Sequence, residues 1–263
     1  MITETKKLVE SLRGTSDFVV DIGASTGSTS DPAYPFITSP DYRGLCIEGE
    51  PGNVDALRSH ASGTFDIHCG FVNPRNIIDI FNSYDVPVDF NLLKVDIDGY
   101  DLQVIRRILS GYRPKIIVAE INEKIPPPIL FEVTYKTDYR WDFSHCFGFS
   151  LSSGLQVMQE NDYCVIGLHE SNNLICAEKR TCLNNGWRSL TDMQELYKQA
   201  YIDSPNRQER FWYNQSVDYW LSLSDPTSLV QEITKYFSSI NERSIFPVKT
   251  KTRDVDFCIG VKF

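Results

Sequence analysis

Three acids fall within six residues in the run LLKVDIDGYDL: Asp96, Asp98 and Asp101. Clustered carboxylates repel one another unless a cation, a hydrogen-bond donor or a helix N-terminus compensates them. Asp101 suits the first turn of a following helix. Asp96 and Asp98 stand at the tip of an apolar run and have no such explanation, so they are candidate catalytic residues. The next apolar run ends as VAEIN, with Glu120 and Asn122. Asp96, Glu120 and Asn122 then form an all-oxygen set suited to Mg2+ or another hard cation. The alternative is that Glu120 and Asn122 bind ligand hydroxyls or cap the segment that follows.

A second constellation lies near the N-terminus. In VVDIGASTGSTS an apolar strand ends in Asp21 and runs into a loop holding Gly23 and Gly27. Such a turn needs glycine where the backbone takes positive φ or lets a ligand approach. Gly23, Ala24 and Ser25 are placed to present backbone N–H and C=O groups to the amino-acid end of a nucleoside ligand, with Asp21 attracting its ammonium. One βαβ unit on, GLCIEGEP ends in Glu48, where an acid would bind ribose hydroxyls, with Glu50 as the fallback. Gly70 and Phe71, after a third strand, would close over an adenine face.

These residues need a scaffold that brings strand ends together. Strand-like runs at 17–22, 44–48, 65–69, 90–97, 114–121, 162–169 and 173–178 alternate with helical stretches at Gly52–His60, Asn73–Ser83, Tyr100–Ser110 and Gly148–Glu160, after a helix at Thr3–Leu12. That alternation predicts a Rossmann-like α/β core over residues 1–178, with a seven-stranded, mostly parallel sheet. Pro126, Pro127 and Pro128 open an insertion at 122–147, placed over the carboxyl ends of the strands as an acceptor lid. It supplies Asn122, Tyr135, Tyr139 and Trp141 as candidate substrate-binding residues, with Asp138 and Arg140 beside them. His145 is a candidate general base, since an imidazole pKa near ~6.5 suits proton removal at neutral pH. Residues 179–263 read as a mainly helical extension of three amphipathic helices, dense in aromatics, that would pack on the core or on a second copy of the chain.

Composition narrows the partners. A chain of 263 residues, 41% apolar and 23% charged, buries an ordinary core. Its formal net charge of -9 repels phosphate backbones, so nucleic acid is not expected. The first residues lack the apolar stretch of a secretory signal, and no run approaches a membrane span of ~20 apolar residues, so a cytoplasmic chain is expected without a membrane partner. The seven cysteines are scattered without a C-x-x-C pair, which predicts reduced thiols rather than a metal site.

The motifs VDIGASTGSTSDPAYPF, GLCIEGEPGNVDALR and LLKVDIDGYDLQVI resemble those of the FkbM-type S-adenosylmethionine-dependent methyltransferases, over about residues 15–178. The resemblance implies a class I methyltransferase fold, donor contacts from Asp21, Gly23, Ala24, Glu48 and Asp96, and transfer to an oxygen of a sugar or natural-product acceptor. Ser25 and Thr26 depart from the commoner acidic or glycine residues, and Asp98 stands where many members carry Glu. A metal at Asp96 would lower the pKa of the acceptor hydroxyl. Two other readings stay open: a nicotinamide-dependent oxidoreductase, against which no full G-x-G-x-x-G follows the first strand, and a non-catalytic scaffold of the same fold.

Overall fold

In the computed structural model, residues 2–12, 16–137, 139–170, 172–240, 249–252 and 255–258 are described. Asp138 and the last residues of the extension lie outside them. Seven strands form one sheet: β1 (Phe18–Ile22), β2 (Arg43–Glu48), β3 (Phe65–Cys69), β4 (Leu92–Val95), β5 (Ile116–Glu120), β7 (Tyr163–His169) and β8 (Asn173–Glu178). Their order is β3-β2-β1-β4-β5-β8-β7. The first five run parallel, and β8 joins β5 antiparallel. A short strand, β6 (Ile129–Leu130), pairs with β9 (Lys249–Thr252), which pairs with β10 (Val255–Cys258).

Helices cover both faces of the large sheet, which is why β1 and β4 are buried along their whole length and read as continuous apolar runs. The layers come from α1 (Ile2–Ser11), a single turn α2 (Tyr34–Ile37), α3 (Pro51–His60), α4 (Ile77–Ser83), α5 (Asp101–Leu109) and α6 (Leu151–Glu160). In α5 the buried Leu102, Ile105, Ile108 and Leu109 recur at helical spacing, turning Arg106 and Arg107 outward. The Ser150 hydroxyl accepts the Ser153 N–H and caps α6. The sheet order reverses between β1 and β4, and the crevice at that switch point, outside the carboxyl ends of the strands, is where open α/β sheets bind ligands.

The extension differs from the three continuous helices expected. It begins with α7 (Lys179–Asn185), closed by Gly186 at φ +65°. Next come α8 (Met193–Tyr197) running into a π turn at Lys198–Ile202, then α9 (Arg207–Arg210) followed by two 3-10 turns at Trp212–Ser216 and Asp218–Ser222. Only α10 (Pro226–Ile240) is continuous, and β9 and β10 end the described chain as strands. The breaks follow from packing: Tyr201, Phe211 and Trp220 must all point inward, and a regular helix does not put them on one side. With Tyr197 and Phe237 they join the same apolar cluster as Phe131, Phe149 and Leu174 of the core. Much of the aromatic density is thereby used within the chain, while Trp212, Tyr213 and Tyr219 stay exposed.

Candidate functional site

A cavity of about 420 Å3 opens at the switch point. Its wall includes Gly23 and Ser25 after β1, Glu48 and Glu50 after β2, Gly70 and Phe71 after β3, and Asp96 and Asp98 after β4. Residues expected to bind a cofactor from four separate segments are thus brought to one hollow. Tyr139 and Trp141 of the insertion line it too, with Arg140 and Phe143. The insertion thus lies at the carboxyl ends of the strands, where it was expected, and shares this hollow with the cofactor candidates.

The loop after β1 is built differently from its sequence reading. Gly23 has φ +78°, and a Cβ there would lie 1.7 Å from the Asp96 carbonyl oxygen, so both the conformation and the close approach of β4 require glycine. The Gly23 and Ala24 N–H groups both donate to the Ile47 carbonyl, at 2.9 and 3.1 Å. The Ser25 N–H donates to Glu48 Oε2 at 2.7 Å. These amides are therefore committed to β2 and not offered to a ligand. Ala24 is buried, and Gly27, at φ +64°, packs against Leu57 of α3; neither lines the cavity.

Asp21 is also absent from the wall. Its carboxyl is fully buried, 3.3 Å from the Lys94 Nζ of β4, the residue paired with it in register. Lys94 also meets Asp31 at 2.9 Å and Asp96 at 3.7 Å, and donates to the Gly23 carbonyl at 2.8 Å. Burial, then Asp31, push Asp21 up to about 8 against the pull of Lys94. Burial would lower Lys94, but Asp21, Asp31 and Asp96 outweigh it and hold its ammonium charged. Asp21 thus supports the loop through Lys94, and this lysine stands where the ammonium of a ligand had been expected.

Glu48 accepts from both sides: Ser25 N–H on Oε2, and the Glu50 N–H at 2.7 Å and Asn53 Nδ2 at 3.3 Å on Oε1. That fixes its rotamer: Oε1 has both lone pairs engaged, and Oε2 keeps one on a residue that lines the cavity.

Asp96, Asp98 and Glu120 form the acidic cluster, each offering an oxygen within 4.8 Å of the others. Asp98 has φ +52°, a strained position for a side chain other than glycine, and burial with Asp96 and Asp101 raises it to about 7. Burial, followed by Asp96 and Asp98, pushes Glu120 well above the usual carboxylate range. Asp101 turns back to accept the Ile97 and Gly99 N–H groups, at 2.8 and 2.9 Å, and shapes the loop that carries Asp98.

Asn122 Nδ2 donates to the His145 and Phe147 carbonyls, both at 2.8 Å, so the amide clamps the insertion, while its Oδ1 is buried with no hydrogen-bond partner among the described residues. His145 lies off the cavity wall with its Nε2 2.9 Å from Ser216 Oγ, and burial lowers it to about 4. Tyr135 packs against Tyr100 behind the wall, with its N–H on Gln103.

The sequence reading missed a polar group beside β5. Glu123 and Lys124 are buried and 3.4 Å apart, Asn214 Nδ2 donates to Glu123 Oε1 at 2.6 Å, and Lys124 Nζ lies 4.1 Å from the Phe147 ring centroid. Asn172 donates to Glu120 at 2.8 Å and accepts from Arg210 at 3.4 Å. The extension therefore reaches the acidic cluster through side chains. The adjacent opposite charges in NEK, beside a strand tip, were the available signal.

Residues 48–145, which carry most of this wall, match the model of the methyltransferase FkbM domain. This segment is similar to the methyltransferase FkbM domain. The matched segment begins on Glu48 and ends on His145, so it includes Glu48, the acidic cluster and most of the insertion. Solved structures with a similar fold include the O-methyltransferase TomG from Streptomyces achromogenes in complex with SAM, 16% identical with a TM-score of 0.41, covering 67% of this chain and 79% of that one. Cofactor-bound Rv0187 from MTB is 15% identical with a TM-score of 0.43, covering 67% and 80%. The N-terminal domain of EvdMO1, in the presence of SAH and D-fucose, is 8% identical with a TM-score of 0.44, covering 67% and 81%. At such identities the likeness is one of shape only. No curated protein matches the chain. No helix among the described residues is long and apolar enough to cross a membrane.

Proposed function

We propose that this methyltransferase binds S-adenosylmethionine in the cavity at the β1–β4 switch point and passes its methyl group to an oxygen of a small acceptor, a sugar or other natural product. The observation that carries the reading is the composition of the wall: a glycine loop, a doubly anchored glutamate, an aromatic residue after β3 and two aspartates after β4 around about 420 Å3, within the range of small-molecule sites. Glu48 takes the ribose hydroxyls, Phe71 the adenine, and Asp96 the ammonium of the amino-acid end. A cationic sulfonium is favoured in a wall that carries Glu48, Glu50, Asp96 and Asp98.

The acceptor oxygen attacks the methyl carbon in line, the carbon–sulfur bond breaks with its electron pair going to sulfur, and the acceptor proton passes to Asp98. A carboxyl with a pKa near 7 suits that proton transfer. The rest of the work is positioning and exclusion of water. A dinucleotide is less well served, because a diphosphate needs loop amides and those of Gly23, Ala24 and Ser25 are already spent.

A second reading has support in the clustering of Asp96, Asp98 and Glu120, which could hold Mg2+ beside the acceptor hydroxyl. Transfer of labelled methyl from S-adenosylmethionine to a panel of sugar and natural-product alcohols, with and without EDTA, tests both readings. Labelled product from the wild type and a large loss with Asp98→Asn are expected. Transfer undiminished by that substitution would remove Asp98 from the chemistry, and loss of transfer with EDTA would favour the metal.

A further inference from the structure

Arg140 is the one cationic side chain among the described residues of the cavity wall. Its guanidinium carbon lies 4.0 Å from the centroid of the Phe71 ring, so the insertion and the loop after β3 meet across the hollow. Phe71 is itself seated on the backbone just past Glu48, where a Cβ on Gly49 would come within 2.6 Å of the ring. The aromatic face therefore adjoins the glutamate assigned to the ribose.

The chain on either side of Arg140 is held. The Tyr139 hydroxyl lies 3.2 Å from the Asp98 carbonyl and 3.1 Å from that of Cys146, and its ring covers Gly99, where a Cβ would meet it at 2.8 Å. Trp141 Nε1 donates to the Ser144 carbonyl at 2.8 Å. Among the described residues Arg140 bonds only the neighbouring Tyr139 carbonyl, at 3.0 Å, and it is exposed. A fixed backbone thus carries a long planar cation whose main contact is one benzene ring. Such a stack is weak at an exposed site, and a purine offers a wider π-face to the same guanidinium.

We propose that Arg140 is a donor-binding residue: its exposed guanidinium, now stacked directly on Phe71 at 4.0 Å, swings off that ring when the donor enters and closes on the adenine of S-adenosylmethionine. The assignment rests on the donor reading above. It separates the donor's two ends: Asp96 holds the amino acid, and the insertion holds the base.

The test is calorimetric titration of the full chain and of Arg140→Ala with S-adenosylhomocysteine and with S-ribosylhomocysteine, which lacks the adenine. Loss of a cation–π stack predicts roughly tenfold weaker S-adenosylhomocysteine binding with S-ribosylhomocysteine affinity unchanged. Equal losses for both ligands would place Arg140 on the carboxylate or on the fold in general, and unchanged S-adenosylhomocysteine affinity would remove it from the site; either overturns the proposal. Arg140→Gln, which keeps length without charge, repeats the comparison if the alanine variant does not fold. Failure of the wild type to bind S-adenosylhomocysteine would overturn the donor reading, and this assignment with it.

Discussion

Replacing Glu48 by Gln changes one oxygen to an amide nitrogen, and the geometry around Glu48 leaves that nitrogen no good place. Oε2 accepts the Ser25 N–H at 2.7 Å and Oε1 accepts the Glu50 N–H at 2.7 Å. Either orientation of the glutamine sets an NH2 against a backbone N–H, and Glu48 is only 6% exposed, so water gives little relief. An unsatisfied buried donor costs about 1–3 kcal/mol. Loss of charge-assisted bonds to the ribose hydroxyls removes a further ~1.5–3 kcal/mol from donor binding. Glu48→Gln should therefore lower thermal stability by several degrees and weaken S-adenosylhomocysteine binding by at least about tenfold. Differential scanning calorimetry and isothermal titration on the same samples read both. Wild-type donor affinity in this variant would refute the placement of the ribose, whatever its stability.

Gly23→Ala should be more damaging, because its methyl meets the Asp96 carbonyl at 1.7 Å in a left-handed conformation. Overpacking and strain together predict about 2–6 kcal/mol lost in denaturant unfolding. Lys94→Met leaves Asp21 and Asp31 without their cation at a site where the lysine is 2% exposed, and a loss of about 3–5 kcal/mol is expected from the same measurement. For Asp98, held near 7, transfer activity should rise with pH through about 7 as the carboxylate forms, and Asp98→Asn should flatten that limb while sparing donor affinity. Stability runs the other way. Its folded pKa exceeds the unfolded value of ~3.9, so the folded chain keeps a proton the unfolded one has lost, and this contribution fades as pH rises from about 4 through 7. Asp98→Asn should consequently gain more melting temperature at pH 8 than at pH 4, and Asn tolerates the positive φ.

The core was legible because its signals are local. Strands such as FVVDI and LLKV are buried on both faces and announce themselves as unbroken apolar runs, and a glycine is demanded wherever the chain turns at their ends. The strand tips then converge by topology, so the places of Glu48, Phe71, Asp96 and Asp98 in the alternation already put them on one wall. What stayed hidden depends on register and on distant partners. Lys94 was visible as a lone lysine in an apolar strand, but its ion pair with Asp21 exists only because β1 and β4 pair in that register. Asn122 can present its Oδ1 to a cation and its Nδ2 to carbonyls, and only the path of the insertion supplies the His145 and Phe147 carbonyls. The broken helices at 193–222 share their periodicity with continuous ones, since the irregularity comes from seating Tyr201, Phe211 and Trp220 in a common core.

The central claim, a donor site at the β1–β4 crevice, is tested most directly by titrating S-adenosylhomocysteine into the purified full chain in a calorimeter, since this needs no acceptor. The account predicts saturable binding at one site per chain that is lost in Glu48→Gln. Absence of any heat at millimolar ligand, from a chain shown to be folded, would contradict it.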